Sequence, residues 1–210
     1  MKKPEEKKLT LKGPQGVLEA ILSIPDDASG SVAVVCHPHP LYGGTMDNKV
    51  VHYTARALME MGMPVLRFNF RGVGNSAGEF DDAVGEIDDC MTAVAWIQDN
   101  YPQERLVLAG FSFGSYIATQ AAARADVSAL ITIAPAVSLY DFNSIGGVNC
   151  PWLLIQGDAD EVVPPEAVRS WAAQSGSVSK VIWMPGASHF FHGRLVELSG
   201  HMRTWIKDNL

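Results

Sequence analysis

Gly110-Phe111-Ser112-Phe113-Gly114 sets a serine between two glycines at the join of two unlike stretches. Residues 105–109 form an apolar run short enough for a buried strand, and residues 115–123 are alanine-rich and favour helix. Strand, G-x-S-x-G and helix together read as a nucleophile elbow: the sharp turn strains the serine backbone, and side chains two residues to either side would collide with strand or helix. Such a turn holds Ser112 Oγ outward. It also puts the Phe113 N–H at a helix N-terminus, where free donors and the positive dipole end favour an oxyanion. A serine hydroxyl needs a base within hydrogen-bond reach, and the base needs a group to orient it. In an open α/β sheet, functional groups collect at the carboxyl ends of the strands. Two downstream loops lie there. Residues 157–164 (GDADEVVP) offer Asp158, Asp160 and Glu161, and residues 185–192 (PGASHFFH) offer His189 and His192. The chain order Ser, Asp, His is one of the known orders for this chemistry.

The elements that must position these groups follow from periodicity. Residues 8–11 and 17–24 flank the turn signal Gly13-Pro14-Gln15-Gly16 and predict an antiparallel hairpin. Residues 32–36, 65–70, 105–109, 127–134, 148–156 and 178–184 read as strands, and residues 47–61, 80–100, 115–123, 193–209 and a segment opening at Pro164-Pro165 as helices. Strands alternating with helices after the hairpin predict an α/β fold: a mostly parallel, doubly wound sheet with helices on both faces. Residues 1–7 read as a flexible tail and residues 8–210 as one domain, with no repeat and no linker.

Composition narrows the partners. A chain of 210 residues with 47% hydrophobic and 19% charged residues has the make-up of a globular protein. Its formal net charge of −7 disfavours nucleic acid and anionic membrane surfaces as partners. No apolar run approaches the ~20 residues that span a bilayer. The start of the chain has lysines of mixed company and no apolar stretch after them, so it does not read as a signal peptide. Cys36, Cys90 and Cys150 are widely spaced and form no C-x-x-C pair, which predicts reduced, mostly buried thiols in a cytoplasmic protein. The sequence carries no mark of oligomeric state.

From about Lys8 onward the chain resembles the α/β-hydrolases. More narrowly, it is similar to small, cap-less predicted hydrolases with an H-P-H-P-x-x-G-G-T-M-x-N-K-V signature, present here from His37 to Val50. The loop at residues 71–78 (RGVGNSAG) and the stretch at residues 157–164 also match. The resemblance implies Ser112 as nucleophile, Asp160 as acid and His189 as base, with esterase-type activity and no metal or other cofactor. Asp158 then reads as a residue bracing its loop, Glu161 as solvated, and Asp141 as an outside candidate for the acid. His192 reads as surface or second rank, and His52 and His201 as structural.

The second oxyanion donor should come from the loop after the strand at residues 32–36. Pro38 and Pro40 have no N–H, so His39 is the best placed donor, with Leu41 next. His37-x-His39 could be a metal pair, but no third ligand is positioned by spacing, and hydrogen bonds within the loop are the better reading. Leu41, Tyr42 and Arg71 are the candidate substrate-binding residues. Arg71 could hold a substrate carboxylate or tie its glycine-rich loop to a neighbour. Only residues 135–151 separate the strands between which a lid would enter, too few for a helical cap. The expected substrates are therefore small, short-chain esters or thioesters. The same triad would also serve a small serine peptidase or an acyltransferase, and a non-catalytic binding module is the rival of another class.

Overall fold

The computed structural model describes residues 5–210. Its centre is an eight-stranded sheet in the order β1-β2-β4-β3-β5-β6-β7-β8. The strands are β1 (Glu5–Gly13), β2 (Gly16–Ile24), β3 (Ser31–Cys36), β4 (Val65–Phe68), β5 (Arg105–Phe111), β6 (Ala129–Ile133), β7 (Trp152–Gly157) and β8 (Lys180–Met184). β1 and β2 form the antiparallel hairpin, β2 runs antiparallel to β4, and every other pairing is parallel. The helices are α1 (Lys49–Glu60), α2 (Gly85–Asn100), α3 (Phe113–Ala122), α4 (Pro165–Ser175) and α5 (Leu195–Asn209).

The central strands are buried on both faces, so their side chains alternate between two cores. Val32, Val34 and Cys36 of β3 join Ile87 of α2, Ile117 of α3 and Trp171 of α4. Ala33 and Val35 join Leu58 of α1 and Leu198, Met202 and Trp205 of α5. The doubly wound arrangement expected from the sequence is thus what the strand pattern builds.

Several boundaries differ from the sequence reading by a few residues, and three of the differences have a local reason. Glu5, Glu6 and Lys7, expected in a tail, pair with Ile24, Ser23 and Leu22 in the hairpin; residues 1–4 of that expected tail lie outside the described residues. Helix α2 starts at Gly85 rather than Phe80, because Asp82 and Ala83 take φ of 45° and 69°, which a right-handed helix cannot contain. β4 ends at Phe68 because the next backbone groups bond elsewhere: the Phe70 N–H donates to His37 Nε2 at 3.0 Å. The cysteines are free thiols, and the fold brings two of them together, with Cys36 and Cys90 Sγ 3.5 Å apart in the core. No helix among the described residues is long and apolar enough to cross a membrane.

Candidate active site

Ser112 stands between β5 and α3 with φ 54° and ψ −116°, the strained backbone of an elbow. The flanking glycines are needed for clearance. A Cβ on Gly110 would run into the Gly114 carbonyl, and one on Gly114 would run into the carbonyls of Cys36 and His37 at the end of β3. The turn is pinned from below as well: the Ser112 N–H donates to Ile133 O at 2.9 Å, and Ser115 Oγ to Gly110 O at 2.8 Å.

The other two groups arrive on loops that are stitched to each other. The Asp158 N–H donates to Met184 O and the Ala159 N–H to Ala187 O, while Gly157 has no side chain to keep the Ala187 carbonyl away. In return the Gly186 N–H donates to Asp158 Oδ1 at 2.5 Å, and the His189 N–H to Glu161 Oε2 at 3.1 Å. The result is a continuous chain of contacts: His189 Nε2 lies 3.1 Å from Ser112 Oγ, and His189 Nδ1 lies 2.8 Å from Asp160 Oδ2. Asp160 Oδ1 accepts the N–H groups of Val162 and Val163, both at 2.8 Å. Burial alone would raise the Asp160 carboxyl, but the bonds from His189 and from those two amides outweigh it and hold its pKa below the ordinary value. The ring of His189 sits between Phe111 and Phe190, with centroids 5.0 and 5.1 Å away.

The residues proposed for oxyanion binding flank the serine. Phe113 opens α3, and the rings of Phe113 and His39 are 5.1 Å apart. Neither backbone N–H donates to an acceptor among the described residues, whereas the Leu41 N–H is taken by His39 Nδ1 at 3.2 Å. His37 carries the loop: its Nδ1 meets Pro38 O at 2.6 Å and its Nε2 accepts from Phe70. Burial lowers its pKa to about 4, so the ring is neutral, and both nitrogens are in use, which leaves no pair with His39 for a metal.

Other candidates are elsewhere. Asp158 braces its loop through Gly186, Asp141 caps the turn at Phe142–Ser144, and His192 is exposed beyond Phe190. Glu161, expected to be only solvated, accepts the N–H of His189. Leu41 and Tyr42 are 68% and 87% exposed on the rim beside His39. Arg71 is not on that rim. It is 3% exposed, its Nε and Nη2 bond both oxygens of Asp89 at 3.0 and 2.8 Å, and Nη1 lies 3.5 Å from Asp81. Its role is to tie the loop to α2, the second of its two sequence readings, because a guanidinium buried and forked onto the carboxylate of Asp89 is turned inward, away from the rim where substrate would sit. Gln156, unnoticed in the sequence reading, donates Nε2 to Asp160 Oδ2 at 2.9 Å. Its signal was there: a lone amide in an otherwise apolar central strand.

Residues 33–145 match the model of the family described as serine aminopeptidase, S33. The chain belongs to that family. A curated relative, an uncharacterized protein from Rickettsia prowazekii, is 37% identical over 205 residues, 92% of this chain and 86% of that one. Among solved structures, an α/β serine hydrolase without a lid from Xanthomonas campestris is similar with 43% identity and a TM-score of 0.93, covering 97% of this chain and 94% of its own. An α/β serine hydrolase homologue from Coxiella burnetii is 44% identical with a TM-score of 0.91, covering 94% and 96%. The S33 match and these neighbours make the chain an α/β-hydrolase. The S33 match ends before Asp160 and His189, so it covers the serine's half of the site alone.

Proposed function

We propose that this α/β-hydrolase is a serine carboxylesterase of the small, cap-less kind, acting on short-chain esters or thioesters. The observation that carries the reading is the unbroken contact chain from Ser112 Oγ through the imidazole of His189 to Asp160. His189 takes the hydroxyl proton as Ser112 Oγ attacks the carbonyl carbon. Asp160 keeps the ring in the tautomer with its proton on Nδ1 and stabilises the imidazolium. The unused N–H groups of Phe113 and His39 receive the developing oxyanion, each such donor contributing about 3–4 kcal/mol to the barrier change. The imidazolium then protonates the leaving alcohol or thiol, and water, deprotonated by the same ring, frees the acid.

The rim supports small, uncharged substrates. Between β6 and β7 stand only residues 134–151 with one 3-10 turn, Phe142–Ser144, so a long acyl chain has little to cover it. Arg71 is tied to Asp89 and Asp81, and Arg194, beyond His189, to Glu197. The charge of Asp82 reaches both His39 and Tyr140 at this rim. A small molecule, and neither nucleic acid nor a membrane, is the partner this reading names.

The test is a panel of p-nitrophenyl esters and thioesters with Ser112→Ala as control. The expected result is higher kcat/KM on acetyl and butyryl than on long-chain esters, and fluorophosphonate labelling of the wild type alone. Equal labelling of the alanine variant would overturn the assignment. The description of the matched family favours a second reading, a serine aminopeptidase. Aminoacyl p-nitroanilides in the same panel decide between them.

A further inference from the structure

We propose that Gln156 is a positioning residue of the triad: its amide holds the Asp160 oxygen that His189 uses and thereby sets the basicity of the imidazole. The inference rests on the Ser112–His189–Asp160 reading above.

Gln156 is fully buried in β7, opposite Trp183 of β8, in a strand otherwise made of Trp, Leu, Ile and Gly. Its Nε2 donates to Asp160 Oδ2 at 2.9 Å and to Gly157 O at 3.1 Å. Both neighbours are acceptors, so the chemistry fixes which way the amide faces: turned over, Oε1 would oppose a carboxylate and a carbonyl. The consequence is that Oε1 points the other way and, among the described residues, has no partner. An apolar side chain of the same length would carry no such unsatisfied acceptor. What the amide gains in exchange is a hydrogen bond to a charged group.

With that bond, the acceptor positions of Asp160 are filled in two pairs. Val162 and Val163 hold Oδ1, and Gln156 and His189 share Oδ2. The two backbone donors fix one end of the carboxylate; Gln156 alone keeps the other end from tilting with the ring. It also draws charge from Oδ2. Without it more of that charge faces the imidazole, and His189 takes a proton more readily. The titratable groups around the ring are Asp160 and Glu161 from the loop after β7; the Ser112 hydroxyl of the elbow, Phe111 and Phe190 are its other neighbours.

The experiment measures the rate of fluorophosphonate labelling of Ser112 against pH, in the wild type, in Gln156→Met, which keeps length without a donor, and in Gln156→Glu. In the methionine variant the maximal rate should fall about tenfold to a hundredfold, the scale of a small misplacement of a reacting group. Its acid limb should move up by about half a pH unit. In Gln156→Glu, a carboxyl beside Asp160 keeps its proton to higher pH and restores the donor, so its rate should exceed that of the methionine variant below neutrality. If the methionine variant's acid limb overlays the wild type, Gln156 only fills space, whatever its melting temperature does. If the methionine variant does not fold, a glutamate variant with the wild-type profile throughout would also overturn the proposal. Absence of labelling in the wild type would instead sink the triad reading itself.

Discussion

Two buried carboxylates, Asp89 in α2 and Asp160 after β7, lie close to the same edge of the sheet and have opposite characters. Asp89 is bonded three times by Arg71, through the backbone N–H, Nε and Nη2. Asp160 is bonded by two amide N–H groups, a glutamine and an imidazole. A guanidinium never gives up its proton at working pH, so the Asp89 network is a fixed brace for the glycine-rich loop. An imidazole can take up a proton and hand it on, so the Asp160 network can follow a reaction. Burial and good hydrogen bonding are common to both; what separates brace from site is the partner's ability to titrate and the presence of a hydroxyl on the far side of it.

Substitutions can break that contrast in graded steps. Ser112→Ala removes the hydroxyl, and kcat on any ester the wild type hydrolyses should drop by about 10⁴–10⁶ with the melting temperature held. Asp160→Asn keeps the shape but favours the wrong imidazole tautomer; kcat should fall by about 10³–10⁴ with KM little changed in steady-state assays. Asp89→Asn should do the reverse. It takes the buried counter-charge from the guanidinium and leaves it only the exposed Asp81, costing about 3–5 kcal/mol in urea unfolding, while kcat per folded molecule stays within a fewfold of wild type. A fall in kcat comparable to that of Asp160→Asn would erase the distinction drawn between the two carboxylates.

His37 offers a smaller effect that sharpens the comparison, since it is a buried imidazole with no carboxylate beside it. Its pKa is near 4 in the fold, against 6.5 for a free ring, because burial disfavours the charged form. Between those values the unfolded chain takes a proton that the folded ring refuses. Its contribution is therefore complete above about pH 6.5 and is lost as pH falls toward 4, about 3 kcal/mol in all. Chemical denaturation of wild type and His37→Gln across that range should show the shallower curve in the variant.

The site was legible in proportion to how local its causes are. Gly110 and Ser112 need only the strand before them and the helix after them, and the clash that demands Gly110 lies within the turn; the one that demands Gly114 lies against the neighbouring β3, and that glycine was legible only as part of the motif. The choice of Asp160 over Asp158, and of His189 over His192, came from resemblance, because adjacent carboxylates and nearby histidines look alike until the β7 and β8 loops are stitched together. Arg71 supports both readings in the sequence for the same reason: Asp89, which claims it, stands 18 residues on in a helix that begins later than the residue periodicity predicts. Glu161 left no sequence signal, since an exposed glutamate bonding a distant backbone N–H has no pattern.

By itself the sequence determined the alternation of strands and helices, the antiparallel hairpin and the position of the strained serine, because short-range sterics and side-chain periodicity act within a few residues. The tertiary structure decided which carboxylate meets which imidazole, that Arg71 faces inward, and that a glutamine backs Asp160. Those outcomes depend on hydrogen bonds between loops far apart in the chain, and only parallel packing of β7 beside β8, and of both near β5, brings their ends within bonding distance.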